Sequence, residues 1–230
     1  MHYNILIETL WKDDYTNYMV NNGYFLNESG WLVAYQSKQG GFWMRVTVMG
    51  AGNSGLAMAA HLSKEGNHVT LWNRSGSTIS KLVETHVIHC EGIFSGAVGI
   101  DRITDDIEPA LDDPDIVLIT TPANSHKELA ELIANHIRKS TVIIVNPGTL
   151  GALEFKRTYD KYNSKFGQII AETQTIIYTC RKTSEDSVNI MAMKDSVLIS
   201  ALDARMNRKI IGLLPECIRQ YFIPAESIIQ

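Results

Sequence analysis

Arg45-Val46-Thr47-Val48-Met49-Gly50-Ala51-Gly52-Asn53-Ser54-Gly55 is a short apolar run that opens into three glycines spaced G-x-G-x-x-G. Such a run suits a strand buried on both faces. Each glycine has a separate duty in the turn. Gly50 permits the sharp exit from the strand, and Gly52 lacks the Cβ that would hold a pyrophosphate off the backbone. Gly55 lets the following helix press against the strand. That helix is expected over about Asn53 to Lys64, with Leu56, Ala59, Ala60 and Leu62 toward a sheet. Its N-terminal amides and dipole, with Ala51, Asn53 and Ser54 around them, then face the phosphates. Gly66-Asn67 turns the chain into a second apolar strand, His68-Val69-Thr70-Leu71-Trp72. A glycine motif alone is weak evidence, because glycine turns are common. Here the strand, helix and second strand complete a βαβ unit of roughly 30 residues, the length the motif requires. The competing reading is a fold of this kind that has lost its ligand.

The end of the second strand chooses between cofactors. An acidic residue there accepts hydrogen bonds from the adenosine ribose and favours NAD(H). This chain has Asn73-Arg74-Ser75 instead. Arg74 can pair with a 2′-phosphate, with Asn73 and Ser75 donating hydrogen bonds to it, which favours NADP(H). An arginine that only stacks on adenine leaves NAD(H) acceptable too.

The pattern continues as alternating strands and helices. Thr104–Leu111 reads as a short helix capped by Thr104, and Asp115–Thr121 as a strongly apolar strand. Pro122-Ala123-Asn124 follows, then a helix in which Ser125 and Glu128 have capping-box spacing and Leu129, Leu132, Ile133, His136 and Ile137 form the apolar stripe. A strand over Thr141–Val145, a helix over Leu150–Tyr162 and a strand over Gln168–Ala171 complete the core. Ser187–Met191 and Ser196–Leu202 read as an additional strand pair. The fold class is therefore α/β, a Rossmann-type doubly wound, mostly parallel sheet with helices on both faces. Its ligands belong at the carboxyl ends of the strands. Thr121, Pro122 and Ala123, then Asn146, Pro147 and Gly148, then Glu172 and Thr173 stand there and are candidates to line the nicotinamide half. Turn chemistry alone accounts equally well for Pro147 and Gly148. His136 reads as a packed core histidine, while His61, His68, His86 and His89 read as surface or strand positions. His126 lies in the first turn of its helix with no orienting carboxylate in view. No residue receives a catalytic or metal-binding assignment.

Composition narrows the setting. Hydrophobic residues make up 45% and charged residues 20%, as in ordinary globular proteins. A net charge of -4 with scattered Lys and Arg gives no reason to expect nucleic acid or an anionic membrane. Cys90, Cys180 and Cys217 suit reduced thiols rather than a disulfide framework or zinc site. No apolar run is long enough to span a bilayer, so the expectation is a soluble, cytoplasmic protein of undetermined oligomeric state. Composition shifts near Met44, because residues 1–43 hold more than half of the aromatics without helical or alternating periodicity. The expected organisation is an atypical extension over 1–43, a dinucleotide-binding domain over 44–204, and a connecting helix (Arg208–Tyr221) within 205–230. The extension reads as an upstream addition to a natural start at Met44, or as an accessory segment whose aromatics dock on the domain.

Taken in order, Gly50-Ala51-Gly52-Asn53-Ser54-Gly55, Trp72-Asn73-Arg74, Thr121-Pro122-Ala123-Asn124-Ser125-His126, Asn146-Pro147-Gly148 and Ala171-Glu172-Thr173-Gln174-Thr175 resemble the opine (octopine/nopaline) dehydrogenases. Tyr178-Thr179-Cys180-Arg181 continues the likeness, which runs from about Met44 to Ala204. The Ala-Glu-Thr-Gln-Thr segment is its most specific part; the glycine motif alone equally suits ketopantoate reductase or glycerol-3-phosphate dehydrogenase. The resemblance implies an NAD(P)H-dependent oxidoreductase that condenses a 2-oxo acid with an amino acid and reduces the imine. It also implies a helical second domain carrying the catalytic histidine and its carboxylate, which this sequence stops short of, so the chain alone is expected to bind cofactor without turnover. A stand-alone NADP-binding sensor or partner subunit, and a dehydrogenase completed by a separate polypeptide, are the alternatives.

Overall fold

The computed structural model describes residues 43–163 and 165–228 in full, and 24–26 and 32–34 by their backbone alone. The latter form a small antiparallel ribbon, β1 (Tyr24–Leu26) and β2 (Leu32–Ala34). Trp43 apart, the rest of the expected extension over 1–43 lies outside the described residues.

The main sheet is built from β3 (Arg45–Met49), β4 (His68–Trp72), β7 (Arg102–Thr104), β8 (Ile116–Ile119), β9 (Val142–Val145), β10 (Ile169–Thr173), β13 (Val197–Ala201) and β14 (Phe222–Pro224). Their spatial order is β14-β13-β10-β9-β8-β3-β4-β7. All pairs from β7 to β10 are parallel; β13 runs antiparallel to β10, and β14 parallel to β13. The first strand of this array, β3, lies in its middle; the chain then moves outward through β4 and β7 and returns to the other side of β3 with β8. The crevice where the direction reverses, between β3 and β8, is where sheets of this type bind ligands.

Strand alternation explains the apolar runs. Val46, Val48, Ile116, Leu118, Val142 and Ile144 face one core, while Met49, Val117, Ile119, Ile143 and Val145 face another. The second core is closed by the helices α4 (His126–His136) and α5 (Gly151–Tyr162), through Leu129, Ile133, Phe155 and Tyr159. Both helices follow the expected spans closely.

The first core holds α1 (Asn53–Lys64), and here the structure adds a layer. Residues Gly55 to Leu62 are all buried, not only the expected stripe. A second sheet covers the outer side of α1. Its order is β11-β12-β5-β6, from β5 (Val87–Gly92), β6 (Gly96–Gly99), β11 (Tyr178–Ser184) and β12 (Ser187–Met193). Ile88, Cys90, Val188, Ile190 and Tyr178 supply its inner face. A helix apolar on all sides must be enclosed on all sides, and this sheet encloses it.

Four sequence expectations need correction. Ser187–Met191 and Ser196–Leu202 do not pair: β12 joins the second sheet and β13 the main one. The helix expected over Thr104–Leu111 is α3 (Ile107–Ala110), capped by the Asp106 carboxylate accepting from Glu108 N, because Thr104 is the last residue of β7. The helix expected over Arg208–Tyr221 breaks at Gly212 and Pro215 into α6 (Asn207–Ile210), a short 3-10 turn and α7 (Glu216–Arg219). Leu213, Leu214, Ile218 and Phe222 of this stretch pack into the first core. No helix among the described residues is long and apolar enough to cross a membrane.

The fourth correction concerns His61, which is buried on α1 rather than at the surface. Its Nδ1 lies 3.0 Å from the Tyr178 hydroxyl, and the rings of Phe94, Tyr178 and Tyr221 surround it. Burial, helped by the nearby Lys64 ammonium, pushes its pKa down to about 4. The neutral imidazole is thus favoured by folding. Stability from this group is full above the unfolded histidine range near pH 6.5, and is lost as pH falls toward 4, by an amount on the order of 3 kcal/mol. Urea unfolding at pH 7 and pH 4.5 should show this loss in the wild-type chain and a shallower one in His61→Gln, which cannot gain a charge. Equal losses in the two proteins would assign the acid sensitivity to other groups.

Candidate functional site

The β3–α1 turn forms through an approach so close that only glycine allows it. A Cβ on Gly55 would lie 1.7 Å from the Gly50 carbonyl oxygen. Gly50 itself has φ +113, a region that side chains disfavour, and a Cβ there would meet the Thr121 methyl at 2.8 Å. The Thr120 hydroxyl donates to the carbonyl oxygens of Met49 and Gly50 at 3.0 and 3.1 Å, fastening the turn to the end of β8. Gly52 is different. Its φ of -84 is ordinary, and among the described residues no atom beyond its own chain neighbours lies within 4 Å of the place a Cβ would take. The backbone is bare there because none of the described residues fills that space, beside the N-terminus of a long, otherwise buried helix. This is the cradle a pyrophosphate fits.

Asn73 and Arg74 flank the cradle in different ways. The Asn73 side-chain oxygen accepts from Ala51 N at 3.1 Å, while its amide nitrogen donates to Ser75 O and Thr78 Oγ1. Asn73 therefore braces the glycine loop. The Ser75 hydroxyl lies 2.9 Å from that of Ser77. Arg74 reaches over the crevice to Glu128 in the first turn of α4, Nη1 to Oε2 2.6 Å, with both side chains exposed. That pairing also accounts for a missing capping box. Glu128 is engaged with Arg74, and the Ser125 hydroxyl donates to Thr121 Oγ1 and Pro122 O rather than to the helix amides.

The loops after β8, β9 and β10 meet at the same edge of the sheet. Pro122, Ala123 and Asn124 are exposed there. The Asn146–Pro147 peptide is cis, and Thr149 and Leu150 have φ of 52 and 66, uncommon values for residues with side chains. Glu172 holds this loop in place. Its carboxylate oxygens accept from Leu150 N at 3.1 Å and Ala152 N at 3.0 Å, a negative cap on α5. Gly148 packs so tightly on Glu172 that a Cβ would lie 2.2 Å from the Glu172 Cβ. The Thr173 hydroxyl donates to Asn146 Oδ1 at 2.7 Å, and Gly148 N to Thr173 O at 2.9 Å. Glu172 and Thr173 thus have structural work that strand position alone did not disclose.

His126 stands at this edge but is buried, with Nε2 3.3 Å from Thr121 O and, among the described residues, no hydrogen-bond partner at Nδ1. Burial holds its imidazole below the usual histidine range, although the Thr121 carbonyl and the Glu154 and Glu172 carboxylates pull the other way. Sequence reasoning missed one side of the site altogether. The second sheet brings β11 onto the glycine loop, where Cys180 Sγ donates to Asn53 O and Lys182 contacts both Asn53 and Ala51. The available signal was the alternation of Tyr178, Cys180 and Lys182 on one face of a threonine-rich strand.

The family described as the N-terminus of NAD-dependent glycerol-3-phosphate dehydrogenase matches residues 45–148. An opine dehydrogenase from Arthrobacter sp. (strain 1C) is 35% identical over 159 residues, covering 68% of this chain and 44% of that enzyme. The structure of octopine dehydrogenase with NADH and pyruvate superposes with TM-score 0.65 at 16% identity, over 81% of this chain and 51% of that one. This chain carries an opine-dehydrogenase-like Rossmann domain. Yersinopine dehydrogenase with NADP+ bound shares the fold, with TM-score 0.61 and 13% identity over 80% and 48% of the two chains. So does a ketopantoate reductase from Ralstonia eutropha JMP134, with TM-score 0.58 and 18% identity over 74% and 54%. The Rossmann domain is therefore similar in sequence to opine and glycerol-3-phosphate dehydrogenases, and in fold to ketopantoate reductase. The chain spans about half the length of these relatives or less.

Gly52 and Gly55 should respond oppositely to one added methyl group. Gly55→Ala forces the helix off the strand and should cost at least about 3 kcal/mol, the upper range for overpacking. Gly52→Ala should stay within about 0.5 kcal/mol of wild type, as surface changes do. Urea unfolding of both variants checks this; a tolerated Gly55→Ala would contradict the close approach.

Proposed function

We propose that the Rossmann domain, assigned to residues 44–204, binds NADP(H) in preference to NAD(H). It would serve as the cofactor half of an oxidoreductase that condenses a 2-oxo acid with an amino acid and reduces the imine. The bare backbone at Gly52, between the β4 and β8 edges, carries this reading: a space that none of the described residues fills, at a helix N-terminus braced from three sides. Gly50, Ala51, Gly52, Asn53, Ser54 and Gly55 would hold the pyrophosphate. Thr121, Pro122, Ala123, Asn146, Pro147, Gly148 and Thr173 would line the nicotinamide half, with Glu172 fixing the loop between them. The bound nicotinamide supplies the hydride. The chain's own part is to bind the dinucleotide, orient it and shield one side of it. We assign no proton donor here, since His126 is buried and held neutral. The substrate contacts and the acid–base pair are proposed to come from a second, helical domain, as the family likeness implies.

Cofactor choice rests on Arg74. Its exposed pair with Glu128 is worth about 0–1 kcal/mol, whereas a charge-assisted contact to a phosphate contributes about 1.5–3 kcal/mol. A 2′-phosphate therefore displaces Glu128. In fluorescence titrations, Arg74→Ala should weaken NADPH about tenfold or more and NADH less than threefold. Glu128→Gln, which frees Arg74, should tighten NADPH by up to about fivefold and leave NADH unchanged. Equal effects on both cofactors would remove Arg74 as the selector.

Gly52→Ala separates binding from folding. The variant should unfold like wild type yet bind both dinucleotides at least about tenfold more weakly, because the methyl group occupies the pyrophosphate's place. Undiminished binding would move the nucleotide away from this loop.

A further inference from the structure

The side chains that β11 turns toward α1 climb that helix in sequence. Tyr178 meets His61 and Met58 on the body of the helix, Cys180 meets the Asn53 carbonyl at its first turn, and Lys182 reaches the glycine loop itself. Lys182 N donates to Asn53 Oδ1 at 2.8 Å, which fixes the strand at that height, and its Nζ donates to Ala51 O at 3.0 Å. Among the described residues its ammonium forms no ion pair, unlike Lys81, Lys139 and Lys156, each of which has a carboxylate within 3.0 Å. One carbonyl leaves the other N–H bonds of the ammonium available.

We propose that Lys182 is a phosphate-binding residue of the dinucleotide site, a cation carried by the second sheet to the side of the glycine loop that the main sheet cannot reach. The proposal rests on reading that loop as the nucleotide seat. A half-buried ammonium with a single neutral hydrogen-bond acceptor is an incomplete arrangement: it has lost water without gaining a carboxylate at ion-pair distance among the described residues. Burial lowers its pKa, against the pull of Glu185 and Asp186. A pyrophosphate lying on the Gly52–Ser54 amides completes it, and a compact, mobile point charge suits that role. The second sheet then does two jobs. It buries the outer side of α1, and it delivers the charge that a glycine loop lacks. Because both cofactors share the pyrophosphate, Lys182 should act on affinity for NADPH and NADH alike, whereas Arg74 should act on one.

The test uses the full chain, titrated with NADPH, NADH and adenosine at low and at 0.3 M salt, in wild type, Lys182→Gln and Lys182→Arg. Gln keeps a donor for the Ala51 carbonyl but carries no charge; Arg keeps the charge. The expected result is that Gln weakens both dinucleotides about tenfold, flattens their salt dependence and leaves adenosine unchanged, while Arg stays within about threefold of wild type. Binding of the dinucleotides by Lys182→Gln within twofold of wild type would overturn the role of Lys182 while leaving the nucleotide site intact. Equal weakening of adenosine would also overturn it, by making Lys182 a prop for the loop. Failure of the wild-type chain to bind either dinucleotide would overturn the site and this residue together.

Discussion

Helix α1 and strand β3 touch where Gly55 meets the Gly50 carbonyl, and the rest of the molecule is arranged around that contact. It sets the angle at which α1 leaves the sheet, and so puts the helix N-terminus over the crevice between β3 and β8. It also brings α1 so near the sheet that small residues are required along the contact; Gly55, Ala57, Ala59 and Ala60 are all buried. A helix of small residues covers little apolar surface by itself. The second sheet offsets this by closing over the far side of α1 with Ile88, Val188, Ile190 and Tyr178. One short contact thereby explains the glycine spacing, the alanine-rich helix and the extra layer.

The same constraint explains the polar bracing. A turn of this kind leaves amides and carbonyls without partners in regular structure, and buried ones must be satisfied. Thr120 takes the carbonyls of Met49 and Gly50, Asn73 takes the Ala51 amide, and Lys182 takes the Ala51 carbonyl. Those braces come from β8, β4 and β11, three different parts of the chain. What they leave uncovered is the backbone at Gly52 and the start of α1. At the neighbouring edge Glu172 plays a similar part for the loop after β9, as a carboxylate spent on two helix amides.

The main sheet was legible because burial on both faces leaves a plain signature. Ile116–Ile119 and Val142–Val145 are apolar without interruption and Val46–Met49 is apolar but for Thr47, and glycines, prolines and asparagines mark their ends. The second sheet was less so. Val87–Gly92 and Tyr178–Ser184 are half exposed, rich in polar residues and far apart in sequence, and β12 pairs with β5 across nearly 100 positions. Nothing local specifies such a pairing. His61 shows the same limit: it belongs to a helix whose exposed face could be judged only once the covering sheet was known. The roles of Asn73, Glu128 and Glu172 were hidden for a different reason. Each was singled out for a ligand or a cap, and each proves to be bonded to a residue 22 to 54 positions away. The glycines could be read singly, because what they must avoid is their own neighbouring backbone.

The central claim is that the β3–α1 turn, flanked by β4 and overhung by β11, is one nucleotide seat. Amide hydrogen exchange of the full chain with and without NADPH tests it most directly. Protection is expected together at residues 51–56, 73–75 and 180–184, with the Arg45 and Asp113 end of the sheet unchanged. Protection elsewhere with these three segments unaltered, or no change at any segment under saturating NADPH, would contradict the account.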